Sequence, residues 1–133
     1  DSLKRYIAAT EDGHHKDKLL SGYRFFRNHL LDESGRPKYY HNRAYPIDIQ
    51  CASQAIETLT EFSDMDKGAL PLACKVAEWT IDNMQDHDGH FYYRIYPSGI
   101  KAKAPMIHWG QATMYKALSY LLLKSSSYYS KAL

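Results

Sequence analysis

Apolar side chains recur along this chain at helical spacing in four places. Leu19, Tyr23, Phe26 and Leu30 fall at i, i+4, i+7 and i+11. Ala52, Ala55, Ile56, Leu59 and Phe62 form a second stripe; Ala73, Val76, Ala77, Thr80 and Met84 a third; Gly110, Met114, Ala117, Leu118 and Leu121 a fourth. Each follows the 3.6-residue period of a helix that buries one face. Gly35 and Gly89 stand where a left-handed residue closes a helix. Asp64, upstream of Gly68 and Pro71, reads as a helix entry. The residues before position 14 predict a short helix or tail, and residues 125–133 a frayed end.

The pattern repeats. Asp32-Glu33-Ser34-Gly35-Arg36 in the first half matches Asp86-His87-Asp88-Gly89-His90 in the second. A tyrosine pair follows each turn, Tyr39-Tyr40 and Tyr92-Tyr93, then a proline, Pro46 and Pro105, then Gln54-Ala55 and Gln111-Ala112. The glycines are shifted by 54 positions and the glutamines by 57, so the period is about 55. The units run from about 16 to 62 and from about 70 to 123, inside one domain spanning residues 1–133. Phe91-Tyr92-Tyr93-Arg94-Ile95-Tyr96 is rich in strand formers and precedes the turn Pro97-Ser98-Gly99. It predicts a short β-hairpin returning over residues 100–105, with a weaker version around 38–45. The expected fold is all-α: antiparallel helical hairpins with short β-hairpins in the connections.

Composition narrows the classes. A 44% hydrophobic share with 24% charged residues is that of a folded globular chain and excludes disorder. Seventeen basic and fifteen acidic residues are interspersed, so no nucleic-acid partner is expected. No run is long enough to span a membrane, and no signal peptide is read, which favours the cytoplasm. A chain that begins at Asp1 leaves room for an upstream segment. Cys51 and Cys74 lie inside helices and read as buried free thiols before they read as a disulfide. Neither they nor His14, His15, His87 and His90 make a metal set, and a calcium loop around Gly89 would need Met84 and Ile95 as ligands. No metal and no cofactor is expected. The aromatic share of 14%, with twelve tyrosines, suits sugar stacking, and equally suits packing between helices.

The run Asp88-Gly89-His90-Phe91-Tyr92-Tyr93-Arg94, then Pro105-Met106-Ile107-His108-Trp109-Gly110-Gln111-Ala112, resembles a known group. That group is the C-terminal part of bacterial α/α-toroid proteins associated with exopolysaccharide biosynthesis. Tyr39-Tyr40, Tyr45-Pro46-Ile47-Asp48-Ile49 and Gln54-Ala55 support the same resemblance, which spans residues 20–123. It implies a ring of helical hairpins around a central funnel lined by helix entries and connecting hairpins. Such a ring is usually built from about six hairpins, and two with part of another are present here. The expected object is therefore a partial ring, with a homodimer or the missing remainder of the toroid as its partner. The function implied is a carbohydrate-active or glycan-binding domain, acting on uronate-containing sugars; the alternative is a non-catalytic interaction piece of a larger toroid.

Candidate chemistry sits on the segments that join helices. Asp48, just after Pro46, reads as a helix-start carboxylate or as a general acid or base. Asp88 reads as turn chemistry or as a second carboxylate for glycoside cleavage. His108 could exchange protons near neutral pH and Trp109 could stack on a sugar face; both also read as a partly buried helix start. Arg94 could pair with a uronate or with a surface carboxylate. Tyr40, Tyr93 and Gln111 complete the expected sugar-binding set, around one funnel mouth.

Overall fold

The computed structural model describes the backbone of residues 1–130 and the side chains of residues 1–126. Helix α1 covers Ser2–Thr10, α2 Lys16–His29, α3 Ile49–Glu61, α4 Ala69–Met84 and α5 Ala112–Ser130. Three two-residue strands lie in the connections: β1 Ile47–Asp48, β2 Arg94–Ile95 and β3 Lys101–Ala102. A single π-helical turn, Ile107–Gln111, leads into α5. The end expected to fray continues as helix to Ser130, and residues 131–133 lie outside the described residues.

Alanine explains how closely these helices pack. Ala52 and Ala55 on α3, Ala69 and Ala73 on α4 and Ala117 on α5 are all but fully buried beside Ile56, Leu59, Val76, Met84 and Met114. Small residues let neighbouring helices approach while the longer chains fill the space between. Phe62 stacks face to face on Tyr23 at 4.2 Å, tying α2 to the end of α3. The Tyr23 hydroxyl donates to Asp66, and burial with that bond raises the phenol well above its ordinary pKa.

Side-chain ties give the helix directions. Lys116 pairs with Glu57 and the Tyr120 hydroxyl donates to Glu61, so α5 runs parallel to α3. Gln54 donates to Asp1, and Lys4 pairs with Asp64 and donates to the Glu61 carbonyl, so α1 also runs parallel to α3. Helix α3 packs chiefly against α4 and α5, and α2 and α4 run antiparallel to it. The entry to α4 differs from expectation. Asp66, not Asp64, accepts from the Gly68 N–H at that helix start, while Asp64 is spent on Lys4.

The two polar glycine turns are built alike. Asp32 N–H donates to the Arg36 carbonyl and Gly35 N–H to Asp32; Asp86 N–H donates to His90 and Gly89 N–H to Asp86. Lys38 N–H reaches the Leu30 carbonyl as Tyr92 N–H reaches Met84. Gly35 and Gly89 take φ of 88° and 94°, a region open to glycine and costly for other residues. Beyond the turns the halves diverge. The second connection forms the expected hairpin, β2 to β3, but only two residues pair on each side. The first forms an isolated bridge, Tyr40 to Arg43, and its later residues Ile47 and Asp48 pair with β2, making a sheet ordered β1-β2-β3. Gln54 and Gln111 also part company: Gln54 bonds Asp1 and Thr58, whereas Gln111 bonds the Phe91 backbone.

Candidate functional site

The pairing of β1 with β2 brings Asp48 opposite Arg94. Asp48 Oδ1 accepts from the Gln50 N–H at 2.9 Å and so caps α3. Its Oδ2 accepts from Arg94 Nε at 2.9 Å and from Nη2 at 2.5 Å. Arg94 also donates to the Tyr93 hydroxyl at 3.1 Å, and its guanidinium lies over the Tyr93 and Tyr39 rings. Tyr40 leans on Tyr39, with ring centroids 4.8 Å apart. Asp48, Tyr93, Arg94 and Tyr40 thus belong to one cluster, linked by Tyr39. Asp48 is only 2% exposed and both its oxygens are engaged, so it serves as a helix cap and ion-pair anchor. The hydrogen bond to Asp48 raises the Arg94 pKa further.

The other expected residues stand apart. Among the described residues, no hydrogen bond, ion pair or ring contact joins Asp88, His108 or Trp109 to this cluster. Asp88 accepts from the His90 N–H, which holds its carboxyl below the usual range, and its side chain also pairs with the His90 ring. Asp86 is likewise lowered by its bonds from His87. Both carboxylates are therefore ionised at neutral pH and do the work of turns. Gln111 clamps one backbone unit: it accepts from Phe91 N–H and donates to Phe91 C=O. That bond satisfies a strand end which pairs with little else. His108 and Trp109 sit on the π-turn with Met106 and Ile107, exposed around a shallow groove of about 410 Å³. Trp109 is 58% exposed, so its ring is free to meet a ligand.

A larger groove, about 570 Å³, opens along the N-terminal half of α3. Gln50, Ser53, Gln54 and Glu57 form its floor, Thr113 and Lys116 one wall, and Lys38 with Tyr39 another. Sequence reasoning missed most of this set. Gln50, Gln54 and Glu57 are the polar stripe of α3, opposite the alanines, and such a stripe ordinarily reads as a solvated face. The signal available was the aromatic pair Tyr39-Tyr40 just upstream.

Cys51 lines the same groove beside the Asp48–Arg94 pair and is a free thiol. Burial, with the Asp48 charge second, raises its pKa to about 11. The thiol is therefore almost entirely protonated at pH 8. The rate of iodoacetamide alkylation at Cys51, followed by mass spectrometry, should still be climbing above pH 9, where an ordinary thiol of pKa about 8.5 levels off. A rate already flat at pH 9 would show an unperturbed thiol.

Among the described residues no helix is long and apolar enough to cross a membrane, and no three histidine, cysteine or carboxylate side chains come together to hold a metal. No protein-family model matches the chain, and neither does any curated protein. Among solved structures, cellobiose 2-epimerase from Spirochaeta thermophila is similar, with a TM-score of 0.74 and 16% identity. The match covers 92% of this chain and 35% of that one, so the chain spans about a third of the epimerase's length. At that identity the likeness bears on fold: an all-α arrangement of antiparallel helical hairpins of the α/α-toroid kind, with short strands in the connections.

Proposed function

We propose that this chain is a carbohydrate-binding part of an α/α toroid, holding a sugar in the groove along α3. The observation that carries the reading is the lining of that groove. Tyr39, 45% exposed, offers a flat face held at its back by Arg94. Gln50 brings a neutral amide to the groove, and Gln54, whose amide nitrogen is held by Asp1 and Thr58, brings its side-chain carbonyl. A rigid aromatic with several polar groups converging from separate elements is what a sugar site needs. The fold shared with a sugar epimerase supports the same class. The acidic-sugar form of the proposal rests on Lys38, because Arg94 already spends two donors on Asp48 and Lys116 is paired with Glu57. A link to bacterial polysaccharide metabolism follows from the sequence resemblance.

A glycan-binding screen with neutral and uronate-containing oligosaccharides tests this. Tyr39→Ala should weaken binding about tenfold, equivalent to about 1.4 kcal/mol. Gln54→Ala should weaken it less. Turnover of the bound sugar would make the domain an enzyme, and binding without turnover a recognition module. A second reading places the ligand at the π-turn, on the strength of the exposed Trp109. Loss of binding in Trp109→Ala and His108→Ala, with Tyr39→Ala unchanged, would move the site there. No binding to any member of the screen would sink both.

A further inference from the structure

Within the chain, the Gly35 turn is covered by a helix. A Cβ placed on Gly35 would stand 2.9 Å from the Lys75 carbonyl oxygen, and Lys75 Nζ donates to the Glu33 carbonyl. Trp79 and Asn83, further along α4, face the same connection across from Asp32, Arg36 and Tyr45. The Gly89 turn has the same hydrogen bonds and nearly the same φ, yet among the described residues a Cβ there would meet nothing within 4 Å. Beside it runs a groove of about 350 Å³ along α5, lined by Phe91, Tyr115, Leu118 and Leu122. Tyr115 is 77% and Leu122 70% exposed.

The chain also carries the helix that such a seat takes. Moved back by the 54 positions that relate the two turns, Trp79 and Asn83 of α4 become Phe25 and His29 of α2. Trp79 and Asn83 are half-buried, and Phe25 and His29 are exposed. Phe25, the counterpart of Trp79, is 51% exposed, and its ring contacts among the described residues are with His29 and His41. One end of the molecule thus has a turn without its helix, and the other a helix without its turn.

We propose that the Gly89 turn and the open face of α5 form a docking surface for helix α2 of a second copy of this chain, the copies meeting head to tail. The contact is heterologous: two different surfaces meet, and each copy keeps one of each free. Helix α1 stands where α5 of the other copy must lie. It buries no residue fully: Leu3 and Ile7 pack half-buried against the core, and Asp1 with Gln54 and Lys4 with Glu61 and Asp64 are the polar ties that the incoming helix has to displace. This assembly does not depend on the sugar reading.

Sedimentation velocity on the chain from micromolar to millimolar concentration tests it. The wild-type chain should associate with rising concentration. Phe25→Glu and Tyr115→Glu, both at exposed positions, should each weaken association at least about tenfold with unchanged circular dichroism. Mixing those two variants should restore a dimer that grows no further, since only one junction is intact. Lys4→Glu, which sets like charges around Glu61 and Asp64, should loosen α1 and strengthen association. A wild-type chain that stays monomeric throughout overturns the proposal. So does association that survives both face variants, a variant mixture that fails to dimerise, or a Lys4→Glu chain that associates no better than wild type.

Discussion

Arg94→Ala should lower the unfolding free energy by about 3 kcal/mol, measured by urea denaturation. Removing one member of a buried ion pair costs roughly 3–5 kcal/mol, because the charge left behind stays desolvated. Asp48 is that charge: 2% exposed, with Oδ2 served, among the described residues, by Arg94 alone. The lower end of the range applies because Asp48 Oδ1 keeps the Gln50 N–H and the Arg94 side chain itself is 23% exposed. Arg94→Lys should recover part of the loss, since an ammonium supplies charge without the two-pronged geometry. A cost under about 1 kcal/mol for Arg94→Ala would mean the pair behaves as a surface salt bridge. The result also governs any binding experiment. Sugar binding lost in Arg94→Ala reports on the site only at a temperature where that variant is still folded.

The Asp48–Arg94 pair marks where reading along the chain stops. The helices were legible because their stripes are local: Ala52, Ala55, Ile56 and Leu59 declare one face within a few turns. The glycine turns were legible because φ near 90° selects glycine strongly, and the aspartate before it fits the turn's N–H groups. Asp48 and Arg94 are 46 positions apart, and only the pairing of β1 with β2 brings them together. Read alone, each offered a catalytic and a structural sense, and the sequence held nothing that chose between them. The strand run 91–96 was over-long for a related reason. Phe91 and Tyr92 have strand-forming side chains, but their backbone groups go to Gln111 and to Met84 instead of a neighbouring strand. The π-turn at Ile107–Gln111 has no sequence signature of its own. The groove was hidden because its polar floor follows the same helical period as any solvated face.

Alanine at the two turn glycines should separate backbone strain from packing. Both residues hold φ near 90°, where a Cβ costs about 1–2 kcal/mol, so that cost is common to Gly35→Ala and Gly89→Ala. Only at Gly35 does the new methyl also meet something: the Lys75 carbonyl oxygen at 2.9 Å, with the Lys75 carbonyl carbon at 3.0 Å. These are backbone atoms in the middle of α4, and they cannot turn aside as a side-chain end would. Overpacking of that kind adds about 1–3 kcal/mol. Gly35→Ala should therefore destabilise the isolated chain by about 2–5 kcal/mol, summing the strain and overpacking costs. Gly89→Ala, by the same strain alone, should cost about 1–2 kcal/mol. Urea denaturation of both variants at low micromolar concentration, below any association, gives the difference directly. Equal costs would mean that α4 shifts away from the Gly35 turn without penalty, so that the close seat of helix on turn contributes nothing to stability. A larger cost at Gly35 shows that α4 cannot yield to the added methyl, so that helix and turn are held in close contact.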